Sequence, residues 1–285
     1  MTVRMGYTTF DLGKMFEEAL NSPEVADAIP QAWNDRLYGL FSELKANLEE
    51  LCFKIRVTVP ASTFNLPVVK LTSNPFQAVA EGSAPTEAVP IFEKVQVSIE
   101  KRATLFQWTY EVREDVPKMI SAIEELIRNW LIFDWDQRII SLLDNTEGLT
   151  EVSGTLSEDL VTQAIEALEN KGREVTDSVL AVSPTEAKTI RKFEHFIPKV
   201  LYKGNLEPAT RYEIGRLWDI PVTVTKTLAG KAYLIIKNSI LHAIRRGLTI
   251  EDHKRISTEI EVYKVAIRDG FSVIDPDAII RVLIT

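Results

Sequence analysis

The sequence predicts an α+β fold in two lobes, with one lobe interrupted by the other. Three observations predict this. A long apolar stripe at helical spacing runs over about 117–144. Strand-like alternation flanks it, over 54–59 and 94–112 before it and over 260–285 after it. Between the two, from Ser157 to about 250, the pattern changes to alternating helix and strand, so the chain leaves the first lobe and later returns to it.

The elements follow in order. Residues 1–30 are loosely patterned, with a short helix over 12–20 stopped by Asn21, Ser22 and Pro23, and read as an arm. Trp33, Leu37, Leu40, Phe41, Leu44, Leu48 and Leu51 recur at three- and four-residue spacing and predict a helix over 31–51. Ile55, Val57 and Val59 alternate with polar residues until Pro60. "LPVVKLT" is a second strand, "EKVQVSIEK" a third with Val95, Val97 and Ile99 on one face, and "FQWTYEV" a fourth. Pro117 suits the first position of the long helix, and Gly148 in "DNTEGL" punctuates its end. Ser157 is the N-cap of a helix ended by Gly172. "SVLAV" is a short buried strand. In "SPTEAKTIRKF", Ser183 caps a helix, Pro184 takes its first position and Glu186 closes a capping box. "DIPVTVTKT", "LAGK" and "AYLIIK" read as strand, turn, strand, with a hairpin turn at Gly230-Lys231. "STEIEVYKVAIRDG", "FSVI" and, after the turn "DPDA", "IIRVLIT" are strands. The last is nearly all apolar and belongs inside a sheet.

Composition narrows the function. The 285 residues are 45% hydrophobic and 26% charged, enough for a sizeable core. The net charge of −8 disfavours tight binding to phosphates, which needs a basic stripe, though not a weak contact with DNA. The single cysteine, Cys52, lies between Leu51 and Phe53 and reads as a buried thiol, which excludes an internal disulfide. The N-terminal stretch has no apolar core of a secretion signal, and no apolar run is long enough to span a bilayer. The expectation is a soluble protein made in a reducing compartment, with no membrane partner.

Catalytic and metal signatures fail on inspection. A phosphate loop around Gly230-Lys231 would need glycine at Thr225 and Ser or Thr at Ala232. There is no G-x-S-x-G or H-E-x-x-H, and His195, His242 and His253 have no ligand spacing. Asp134 and Asp136, two apart on a helix, do not share a face, so solvation or ion pairing with Arg128 and Arg138 is expected instead of paired acids. "AIRRGLTIEDHKR" is a mixed-charge run, read as a solvated or intersubunit face. Trp130 and Trp135 read as core or interface aromatics. No catalytic, metal or cofactor residue is assigned.

The segment "NPFQAVAEGSAPTEAVP", 74–90, stands apart. Ordering its backbone costs about 1–2 kcal/mol per residue. Phe76, Val79 and the adjoining Ile91 offset only about 1.5–3 kcal/mol each if buried. An isolated two-stranded hairpin is marginal in water. The segment is therefore either a disordered surface loop or an arm ordered by another chain.

The order of elements resembles the major capsid proteins of tailed phages, the Hong Kong 97 type. So do the stretches "PFQAVAEGSAPTEAV", "YEVREDVPKMISAIEELIRNWLIFDWDQRIISLLDNTEG", "DSVLAVSPTEAKTIRKF" and "IGRLWDIPVTVTKTLAGKAYLIIK". The resemblance covers about 35–285 and rests on order and spacing. It implies an N-terminal arm (1–30) and a peripheral domain (31–61, 105–152 with the spine helix, and 251–285). It further implies an extended β-hairpin loop (62–104) and an α/β axial domain (153–250). The loop would lie on a neighbouring subunit through Pro75, Phe76, Val79, Glu81, Gly82, Pro85, Val89 and Pro90. The implied function is self-assembly, as pentamers and hexamers, into the icosahedral head of a virion made in the host cytoplasm. A separate scaffolding protein, a portal and weakly held DNA would be the partners. With about 30 residues before the first helix, scaffolding is expected from another protein or not at all. The alternatives are an encapsulin-type nanocompartment shell and, from another class, an α/β enzyme with its site in 153–250. Lys70 and Lys94 lie on the arm, but nothing marks a cross-linking site.

Overall fold

The computed structural model describes residues 46–58, 61–70, 78, 89–110, 119–199, 213–255 and 260–285. The helix expected over 12–20, most of that over 31–51 and most of 74–90 lie outside them. The chain divides into two compact units. The larger takes in Ser42–Glu100, Leu131–Arg245 and Arg268–Thr285; the described residues of the smaller fall in Lys101–Trp130 and Arg246–Ile267.

The larger unit is built on a seven-stranded sheet. Its strands are β5 (Thr150–Gly154), β6 (Ser178–Val182), β7 (Phe196–Pro198), β8 (Glu213–Leu217), β9 (Ile220–Val224), β10 (Lys231–Ile236) and β13 (Ile279–Ile284), in the order β5-β13-β10-β6-β9-β8-β7. Side chains alternate across it. Leu180, Val182, Val222, Leu234, Ile280 and Val282 meet α2 (Glu158–Asn170) and α3 (Pro184–Ile190) on one face. Val179, Ala181, Tyr233, Ile235 and Ile279 meet Ile139, Ile140 and Leu143 of α1 (Met119–Asn145) on the other. This two-sided cover explains why β6 and β9 are buried at every position and carry no polar alternation.

The helix ends follow their local chemistry. Ser157 Oγ accepts the Leu160 N–H and Gly172 takes φ +71°, bounding α2 as its sequence predicts. Gly148, after α1, takes φ +81°. Ser183 accepts the N–H groups of Thr185 and Glu186 at the start of α3. The return half of that capping box is not made: Glu186 is buried and its Oε2 has no hydrogen-bond partner.

Four further readings change. The expected helix over 31–51 does not continue to its end: Asn47 is left-handed at φ 57°, and Leu48–Leu51 is a 3-10 turn. β9 and β10 are not a hairpin, because β6 lies between them, parallel to β9 and antiparallel to β10. A glycine turn reverses the chain but does not choose the strand's partner. β11 (Ile240–Arg255) is a long strand across the charge run and had no strand reading; its first part is buried on both faces, so His242 hides the alternation. β12 (Ile260–Val273) runs through Asp269-Gly270, which the sequence presents as a break. The terminal strand β13 is interior to the seven-stranded sheet, as expected, but its partners are β10 and β5.

The remaining strands of the larger unit are β1 (Phe53–Arg56), parallel to the start of β11, and the antiparallel pair β2 (Thr63–Lys70) and β3 (Ile91–Ser98), which form a sheet of their own. Phe64, Leu66 and Val97 at the root of this hairpin pack with Val57, Leu241 and Ala243. In the smaller unit, Trp108 of β4 (Glu100–Thr109) stacks on Tyr263 of β12 at 4.4 Å between ring centroids.

Gly270 is where β12 presses on the hairpin root. A Cβ there would lie 2.1 Å from the Ser98 carbonyl oxygen and 2.8 Å from Val97 Cγ1. Gly270→Ala is therefore expected to destabilise the fold by about 1–3 kcal/mol, the usual result of overpacking. Urea denaturation followed by circular dichroism measures it; an unchanged midpoint would refute the close approach.

Candidate functional site

The β2–β3 pair is the first candidate. Its register runs from Thr63↔Ser98 to Lys70↔Ile91. One face carries Phe64, Leu66, Val68, Val95 and Val97, which are buried or half-buried. The other carries Thr63, Asn65, Pro67 and Val69 opposite Ser98, Gln96, Lys94 and Phe92, all exposed. This open face changes character along its length. It is polar at the root and apolar at the far end, where Val69 is 56% and Phe92 72% exposed. Ile91, paired with Lys70 on the first face, and Val89 before the strand are exposed as well. On the first face, Lys70 and Glu93 form an ion pair at 2.7 Å. Of the eight contact residues read from the sequence, Val89 and Pro90 are described, and both are exposed. Pro75, Phe76, Val79, Glu81, Gly82 and Pro85 lie outside the described residues. Val69 and Phe92 were not among the eight; strand alternation over 63–70 and 91–98 would have put them on one face.

The second candidate is a set of buried charges, also within the larger unit. Asp136 on α1 is fully buried. Its Oδ2 accepts the N–H groups of Ala46 (2.6 Å) and Asn47 (3.1 Å), and its Oδ1 that of Leu48 (2.8 Å). The expectation of a solvated Asp136 is thus corrected: it is buried, and three backbone amides donate to it. The same bonds explain the 3-10 turn, since amides committed to a carboxylate 90 residues away cannot continue a helix. Asp134 does meet Arg138, at 4.0 Å.

Asp269 on β12 is likewise fully buried and accepts from Arg138 Nη1 (2.6 Å), Trp135 Nε1 (2.7 Å) and the His242 ring at Nε2 (3.1 Å). The other ring nitrogen of His242 meets Glu49 Oε1 at 3.2 Å, and Lys54 bonds Glu49 Oε2 at 2.7 Å. His242 stacks on Phe271 at 4.3 Å, and the Arg138 guanidinium lies 4.8 Å over the same ring. Burial opposes the charges of Asp269, Glu49 and His242, and the hydrogen bonds outweigh it. They hold the Asp269 and Glu49 carboxyls below the usual range and the His242 imidazolium above its own. Burial pushes the neighbouring Cys52 thiol up, so it stays protonated, as the apolar context of that cysteine predicts. A third set holds the end of α1. Arg281 bonds the carbonyls of Leu143, Asp144 (3.1 Å) and Thr146 (3.3 Å), while Asp144 accepts from Lys231 (2.8 Å) and Tyr233 (2.5 Å).

Chemically, these groups fasten segments together. They bond to one another and to the backbone, with Asp136, Asp269 and His242 fully buried. His195, by contrast, is exposed and paired with Glu158 at 3.0 Å. Among the described residues, no group of three or more His, Cys, Asp or Glu side chains fits a metal, and no helix is long and apolar enough to cross a membrane.

Two outcomes follow. Removing one member of a buried, hydrogen-bonded pair strands its partner, so Asp269→Asn is expected to destabilise the fold by about 3–5 kcal/mol in thermal or urea unfolding. The pH dependence has two limbs. His242, raised in the fold, contributes stability below its unfolded value of about 6.5 and loses it as pH rises through its folded value. Glu49 and Asp269, lowered in the fold, contribute above their unfolded values and lose this as pH falls through their folded ones. His242→Gln should flatten the alkaline limb of a melting-temperature profile; an unchanged profile would show that the imidazolium contributes nothing.

No family model and no curated protein matches the chain. Solved structures do. The capsid of the cyanophage P-SCSP1u is 13% identical with a TM-score of 0.66, over 92% of this chain and 94% of that one. The mature capsid of bacteriophage PhiM1 is 10% identical with a TM-score of 0.63, over 93% and 99%. A virus-like particle from Pyrococcus furiosus is 14% identical with a TM-score of 0.55, over 83% and 96%. With its spine helix, paired hairpin and helix-covered sheet, the chain has the Hong Kong 97-type capsid fold.

Proposed function

We propose that the chain is the major capsid protein of a tailed bacteriophage, a structural subunit that assembles with copies of itself into the icosahedral head shell around double-stranded DNA. The observation that carries this reading is the hairpin. It is a two-stranded sheet whose solvent face becomes apolar toward its far end, at Pro67, Val69 and Phe92. A lone subunit leaves that surface in water; a neighbouring subunit would cover it. In this reading 62–104 is the extended loop, with Pro75, Phe76, Val79, Glu81, Gly82, Pro85, Val89 and Pro90 against the neighbour. Residues 1–30 are the arm, 153–250 the axial domain, and 31–61, 105–152 and 251–285 the peripheral domain. A separate scaffolding protein, a portal and packaged DNA complete the head of the virion, whose subunits are made in the host cytoplasm.

Light scattering with negative-stain electron microscopy tests the shell. Sixty chains of 32.2 kDa give about 1.9 MDa, the smallest closed icosahedral particle of one chain type. Hollow particles of that mass or more are expected. A chain that stays monomeric when the products of neighbouring genes are supplied would overturn the reading. Deleting 74–90, or placing charge on the apolar end with Val69→Asp and Phe92→Asp, should leave a folded subunit that no longer forms stable shells. Normal shells from both variants would remove the hairpin from the interface.

A further inference from the structure

The hairpin has two outer edges, and they differ. Ile99 N–H donates to the Ser62 carbonyl at 2.8 Å, one step beyond the pair Thr63↔Ser98. Ser62 and Ile99 are therefore a hydrogen-bonded pair. Such pairs alternate along an antiparallel ladder, so Phe64/Val97, Leu66/Val95 and Val68/Glu93 face inward to one another. Thr63, Asn65, Pro67 and Val69 then turn their backbone groups outward from β2, and Ser98, Gln96, Lys94 and Phe92 turn theirs outward from β3. Neither strand has another sheet neighbour among the described residues.

Pro67 thus sits at an outward position in the middle of β2, where it has no N–H to offer and costs the hairpin no internal bond. β3 holds no proline and keeps a donor at every outward position. We propose that Pro67 is an edge guard, which blocks strand addition on β2 and restricts backbone pairing by the hairpin to β3. The consequence concerns growth. A sheet with one competent edge stops at a single added strand. A sheet with two passes the template on and elongates without limit. A subunit that must present an apolar hairpin at high concentration before its shell closes needs that limit. The inference rests on the capsid reading only for this purpose; the guard itself acts on the unassembled chain.

The test uses the full chain, unassembled, at rising concentration, with thioflavin T fluorescence and sedimentation as readouts. Pro67→Val restores the outward N–H, as does Pro67→Ala with a smaller side chain. Both should show a several-fold rise in thioflavin-positive, sedimenting material over the parent chain. Pro67→Val combined with Val69→Pro moves the guard to the next outward position on the same strand and should return the signal toward the parent level. Parent-like behaviour of both single variants would overturn the proposal. So would failure of the double variant to rescue. Loss of native circular dichroism in both single variants would also overturn it, because Pro67 would then act inside the hairpin. Shell formation is scored separately. A parent chain that forms no shell speaks against the capsid reading and leaves the edge comparison standing.

Discussion

A closed ring of buried hydrogen bonds fixes the larger unit. It runs from Asp136 on α1 to the amides of 46–48, through Glu49 to His242 on β11, on to Asp269 on β12, and back to α1 through Trp135 and Arg138. Apolar packing alone would let α1 slide on its sheet, because Ile139, Ile140 and Leu143 meet a surface of similar side chains. Directional bonds to charged groups in a low-dielectric interior select one register. The ring is also balanced: Asp136, Glu49 and Asp269 stand against Arg138, Lys54 and a protonated His242. That balance is what makes burial of Asp136, Glu49, Asp269 and His242 tolerable.

The ring reaches the hairpin through adjacent residues. Asp269 is fixed by three donors, and the next residue, Gly270, lies against Ser98 and Val97. His242 is fixed from both sides, and its neighbours Leu241 and Ala243 floor the small core that receives Val97, Phe64 and Leu66. The root of the hairpin is therefore seated on strands that charges hold in place. Among the described residues, its far end is in no buried cluster.

The sequence carried the helices and the covered sheet clearly, because their signals are local. Ser157, Gly172, Ser183 and the apolar run of β6 each act within a few residues. It did not carry the ring. Asp136 was legible as a polar residue on an apolar helix, but its partners lie 88–90 residues away. A lone histidine between Leu241 and Ala243 gives no hint of Asp269, and Asp269-Gly270 imitates a turn because both residues are constrained for tertiary reasons. Strand pairing failed for the same cause. Gly230 at φ +64° marks a reversal, while the interposed β6 is supplied by a segment some fifty residues earlier.

The strands on either side of 74–90 alternate. A disordered surface loop has no reason to alternate. Here Phe64, Leu66, Val95 and Val97 face the core while Asn65, Gln96 and Lys94 face water, a pattern that specifies a register. Nor does a strand pair selected only for its own subunit place Val69 opposite Phe92 on the solvent face. Cross-strand apolar pairs contribute about 0.2–1 kcal/mol in such a ladder, too little to order its tip alone. The same side chains contribute several times more when a second surface removes them from water. In the proposed shell, burial of Val69 and Phe92 against a neighbouring subunit would be the larger of these two contributions.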